Sequence, residues 1–126
     1  MLVMSDVAAK IIDSGKIHDY HAHVYYDPRK RSTASRLRRR IEKAFRVEMG
    51  RWRDQPVGPH PRSMYQVKFA RGEFPKIVPW LMLNRCGLSV LVHPNTGDAY
   101  HDHAINALWL GKPLRLRLAC LRPHRK

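Results

Sequence analysis

Acidic side chains are scarce in this chain: 10 Asp and Glu stand against 24 Lys and Arg, a formal charge of +14. A balance this basic favours anionic partners, nucleic acid above all. Much of the excess is local, however, in residues 29–53 and in the tail 122–126. Such runs read as a solvated face and a frayed, disordered end. Cysteine is scarcer still. Cys86 and Cys120 lie far apart with no CxxC spacing, which argues against a cysteine metal site. Set in apolar sequence, they read as buried free thiols of a reducing cytoplasm. No long apolar run exists to span a membrane. The start, Met1-Leu2-Val3-Met4-Ser5-Asp6, has no basic residue ahead of an apolar stretch, so no secretory signal is expected. Repeats and low-complexity segments are absent too. What remains is a cytoplasmic chain of 126 residues, 44% apolar, enough for one domain over 1–126 with a real core.

Histidine is what the chain has in unusual places. In Asp19-Tyr20-His21-Ala22-His23-Val24-Tyr25-Tyr26, the aromatic and β-branched residues predict a strand ended by Asp27-Pro28. Strand side chains alternate, so His21 and His23 share a face with Tyr25, opposite Tyr20, Ala22, Val24 and Tyr26. His60 stands between Pro59 and Pro61, which stiffen the backbone that presents it. His93 ends an apolar run, and His101 and His103 follow two apart.

Further elements follow from pattern and punctuation. A short helix is expected over 5–14, with Ser5 as cap and Gly15 as stop. A basic amphipathic helix is expected over 33–49, capped by Ser32 or Thr33, with Arg36, Arg39, Arg40, Lys43 and Arg46 outward. Strands are expected over 63–69, 88–93 and 114–118, the last from the alternation Leu114-Arg115-Leu116-Arg117-Leu118. A helix over 74–84 carries Pro75 near its start and Pro79 within it. Asp102 is expected to cap a helical turn over 103–110, closed by Gly111. The economical α+β solution is a ferredoxin-like four-stranded sheet with helices on one face, the other left open for a ligand or a second subunit.

On that open face the two-residue period gathers His21, His23, Gln66 and His93. Imidazoles suit iron, zinc, copper or nickel. A two-His-one-carboxylate iron site would need an acid, and the set holds none, although Asp98 and Asp102 lie on the following loop. A three-imidazole site and a metal-free acid–base site are equally compatible. Arg62 and Arg85 are suited to a substrate carboxylate, since guanidinium binds it bidentately.

The segments YHAHVYYD, PVGPHPRSMYQV and LNRCGLSVLVHPNTGDAYHDH, followed by ALWLGKPLRL, together resemble the DOPA 4,5-dioxygenase family over about residues 16–118. The resemblance implies a ferredoxin-like domain, a homodimer, and extradiol cleavage of a catechol such as DOPA by O2 with non-haem Fe(II), another divalent metal being an alternative in the isolated protein. Carried onto this sequence, His21, His23 and His93 are the expected metal ligands. His60 and His103 are the expected acid–base groups, with His60 the next choice as ligand. Gln66 and Tyr25 fall on the substrate side, and Arg62 and Arg85 with them. His101 is not expected to be needed, and His18 and His124 read as surface residues. Two other readings stand beside it: a nucleic-acid module that uses the open sheet face, and a homologue without activity that binds a small aromatic.

Overall fold

In the computed structural model, which describes residues 10–122, the central strand β1 (Asp19–Tyr25) carries the histidine pair. It is followed by α1 (Arg31–Ala44), β2 (Glu48–Met49), β3 (Met64–Phe69), α2 (Phe74–Asn84), β4 (Val90–Asn95), α3 (Ala99–Ala104) and β5 (Leu108–Leu110). The sheet order is β2-β3-β1-β4-β5, with every neighbouring pair antiparallel. The class is α+β, but the sheet has five strands, not the four expected. A ferredoxin-like order does not follow from it.

Helices α1 and α2 form where apolar residues recur at helical spacing. Ala34, Leu37 and Ile41 of α1, and Ile77, Val78 and Leu81 of α2, are buried against one sheet face. That face is Ala22, Val24, Tyr65, Val67, Phe69, Val90 and Val92, the set the alternation predicts. Each fully buried aliphatic side chain contributes about 1.5–3 kcal/mol. Pro79 stands inside α2, which stays helical through it.

Several expectations need correction. Helix α1 stops at Ala44 rather than 49, because Glu48 and Met49 pair with Lys68 and Val67. Its N-cap is Lys30, without a side-chain bond, while Asp27 caps the turn Pro28–Lys30 just before it. Segment 114–118 is not a strand. Leu114 and Leu116 pack on Tyr25, Met64 and Leu91, so the alternation reports one-sided burial rather than a ladder. The fourth expected strand is instead Leu108–Leu110, which pairs with β4 where a helical turn is predicted. Asp98, not Asp102, caps α3, accepting from the His101 N–H. Asp102 is buried and holds Thr96 through its N–H and hydroxyl at 2.8 and 2.7 Å. The second sheet face is therefore covered, by α3 and by the chain that follows it. Cys86 and Cys120 are free but exposed, since both sit at turns outside the core.

Half of the helix expected over 5–14 lies outside the described residues, and the described half, 10–14, is not α-helical. The disorder expected for the tail also falls outside them, except at Arg122, which donates to the Tyr100 hydroxyl at 3.1 Å.

Candidate metal centre

The register of β1 decides what meets on its second face. His21 stands opposite His93 on one side and Lys68 on the other, and His23 opposite Leu91 and Gln66. His60 arrives from a turn in which its N–H bonds the Val57 carbonyl at 3.0 Å. Gly58 takes φ +55° in that turn, a region costly for other residues. His103 arrives from α3. The result is one cluster of five imidazoles. Ring centroids are 4.1 Å apart for His23 and His60, 4.0 Å for His93 and His103, and 5.1 Å for His23 and His93. Two overlapping triads place their nitrogens within 4.8 Å of one another: His21, His23 and His93, and His23, His60 and His103.

The hydrogen bonds fix which nitrogens are free. His93 donates from Nδ1 to the Pro94 carbonyl at 2.9 Å, and His103 from Nδ1 to the Ala99 carbonyl at 2.8 Å. Each therefore keeps an Nε2 lone pair when neutral. His60 Nδ1 meets the Tyr25 hydroxyl at 2.7 Å. His23 Nε2 lies 3.0 Å from His93 Nε2. Because His93 has only a lone pair there, His23 donates, and its Nδ1 is left a buried acceptor with no partner. Imidazoles held at one nitrogen by an outer partner, with the other turned inward, form the usual surroundings of a metal.

Burial keeps these rings neutral. It holds His60 down at about 4 and His93 at about 3, with His103 adding repulsion in both cases. His23 is driven well below 6.5, first by burial and then by His60 and His93. His21 and His103 are also lowered by burial, opposed at His21 by Asp19. Neutral imidazoles with inward lone pairs fit iron, zinc, copper or nickel. Among the described residues no carboxylate joins either triad. Asp98 is spent on the His101 N–H and Asp102 on Thr96, so the two-His-one-carboxylate pattern is not met.

The other expected site residues divide. Gln66 lines a cavity of about 220 Å³ beside His23 and His60. Tyr25 is 1% exposed, stacks on Trp109 at 5.7 Å, and turns its hydroxyl to His60 rather than to a ligand. Arg62 lines a different hollow, with Tyr26 and Asp27. Arg85 packs on Gly111 and donates to the Met82 carbonyl. His101 is exposed and paired with Asp98, and His18 is exposed. His124 lies outside the described residues. Sequence reasoning missed Arg51 and Arg53, which line the cavity beside His23. The only signal for them was the general arginine excess of 29–53.

Known proteins resemble this chain over most of its length. A protein of Botryotinia fuckeliana described as an uncharacterized 21.2 kDa protein is 34% identical over 88% of this chain and 67% of its own length. An Amanita muscaria protein named DOPA 4,5-dioxygenase is 32% identical over 88% of this chain, which spans only 52% of it. The crystal structure of a candidate dioxygenase from Nostoc punctiforme superposes with a TM-score of 0.87 at 52% identity, covering 88% of this chain and 96% of the other. The profile of the Dopa 4,5-dioxygenase family matches residues 20–120, and this chain belongs to that family.

Proposed function

We propose that this protein cleaves the ring of a catechol with O2, in the extradiol manner, at a metal held by His23, His60 and His103. The observation that carries the reading is that the nitrogens of His23, His60 and His103 lie within 4.8 Å of one another and that two of these residues, His23 and His60, line a cavity of about 220 Å³. His60 and His103 each have an outer partner that orients the ring, and His23 has a buried nitrogen that lacks one. Of the other triad, His21, His23 and His93, only His23 lines this cavity. A bound metal, with Fe(II) the natural choice for O2 chemistry, would supply Lewis acidity and electrons.

The chain's own residues do the rest. Burial keeps His60 and His93 uncharged at neutral pH, so each ring keeps one nitrogen lone pair. His21 is less buried than His23 or His93, and Asp19 favours its protonated form. Leu91, Met64 and Tyr25, with Trp109, Leu114 and Leu116 against them, keep water from one side of the cluster. The same covering removes the stacking platform that an RNA-binding sheet needs.

The test is O2 uptake and visible absorbance after anaerobic loading with Fe(II) and addition of a simple catechol. Metal-dependent uptake with a yellow semialdehyde product is expected. Tight Fe(II) binding without uptake of O2 by any catechol would overturn the reaction assigned. Tyr25→Phe supplies a second check, since it removes one hydroxyl and leaves the ring stack. It is expected to weaken metal binding about 10–100-fold, the usual worth of an outer partner. Unchanged affinity by metal titration would mean that His60 needs no such orientation.

A further inference from the structure

The cavity beside the histidines has a cationic wall built by an irregularity in the sheet. Glu48 pairs with Lys68 and Met49 with Val67, and the Gly50 N–H bonds the Gln66 carbonyl at 2.8 Å. A regular ladder would next set Trp52 opposite Met64. Instead Arg53 occupies that place, exchanging bonds of 2.8 and 2.9 Å with Met64. One extra residue has entered the strand, which is a β-bulge, and bulges re-aim side chains. Trp52 goes to the helix side, against Tyr26 and Tyr65 at 5.4 and 5.0 Å. Arg53 shares the face of Met64, which is the histidine face. Arg51 and Arg53 both line the cavity with His23, His60 and Gln66. Gly50, which also lines the cavity, lies close against Gln66, since a Cβ there would come within 3.2 Å of Gln66 Cβ.

Neither guanidinium is committed elsewhere. Among the described residues Arg29 and Arg31 are paired with Asp27 and Asp54, and Arg38 donates to the Gly50 carbonyl. The side chains of Arg51 and Arg53 make no ion pair or hydrogen bond there. Two free guanidinium groups at the mouth of a cavity whose floor carries imidazoles fit an anion on the far end of the ligand.

We infer that Arg51 and Arg53 select aromatic diols that carry a carboxylate on the side chain, holding that carboxylate while the diol faces His23 and His60. This rests on the catechol reading of the same site. The bulge is what lets one face present both the imidazoles and the cations.

The experiment compares 3-(3,4-dihydroxyphenyl)propionate with 4-ethylcatechol, which has no carboxylate. Affinity is measured by anaerobic calorimetry, with and without Fe(II), and kcat/KM by O2 uptake. The acid-over-neutral ratio of affinities is expected to fall about 10–100-fold in R51Q/R53Q, the worth of a hydrogen bond to a charged group. In kinetics the loss should appear in KM. Arg62→Gln, in the separate hollow, is expected to keep the ratio within about twofold. An unchanged ratio in R51Q/R53Q, or no preference for the acid in the parent protein, would overturn the inference. Arginine-dependent binding of the acid without ring cleavage would uphold the carboxylate site and overturn the reaction instead.

Discussion

The His23→Ala variant is expected to lose its metal almost completely, by more than about 100-fold in affinity, beyond what outer partners alone contribute. His23 is the one imidazole common to both triads. It is 2% exposed and lies between His93, at 3.0 Å, and His60, with ring centroids 4.1 Å apart. The domain itself should survive. The lost imidazole leaves His93 with one unpaired acceptor, a cost of about 1–3 kcal/mol. The larger apolar cluster, between the helices and the sheet, lies on the other face. Metal per chain after equilibrium dialysis, with circular dichroism as a folding control, checks this. The companion variants separate the triads. His60→Ala and His103→Ala should match His23→Ala, and His21→Ala should retain metal. Loss in His21→Ala and His93→Ala alone would move the metal to the other triad. A full equivalent of metal in His23→Ala would exclude both.

Much of this centre was legible before any coordinates. The period of two put His21, His23, Gln66 and His93 on one face, and the strands do place them there. The two prolines marked His60 as rigidly presented, and its turn is bonded at both ends, the Pro59 carbonyl accepting from the Arg117 N–H. What failed was legible only in three dimensions. Leu114 and Leu116 alternate with arginine because they roof the histidine face, and a roof and a strand share that pattern. Trp109 and its neighbours looked helical because Asp102 resembles a cap, yet its carboxylate is spent on Thr96. Arg53 was hidden because a bulge shifts the face of every residue after it and leaves no mark in composition.

Acid should unfold the metal-free protein well above the pH at which carboxylates titrate. The unfolded chain binds a proton at each histidine near pH 6.5. In the fold, burial holds His60 at about 4 and His93 at about 3, and His23 lower than usual as well. The unfolded state therefore carries more protons between those limits, and stability rises with pH across the window. It is complete above about pH 6.5 and drains away as pH falls towards 4. Each pH unit of separation is about 1.4 kcal/mol per group, so the buried histidines together remove on the order of 5 kcal/mol. That is a large share of the stability of an ordinary domain. Asp27 and Asp54 are held low by Arg29 and Arg31, but their ordinary value is 3.8, so their effect lies below this window. Urea midpoints of metal-stripped protein at pH 7.5 and 4.5 measure the difference. Bound metal competes with protons for the same lone pairs, so the loaded protein should hold its midpoint to lower pH. Equal midpoints for stripped protein at the two values would mean that the imidazoles take up protons without opening the fold. The cluster would then be a hydrated pocket, and the burial that holds the rings uncharged would be missing.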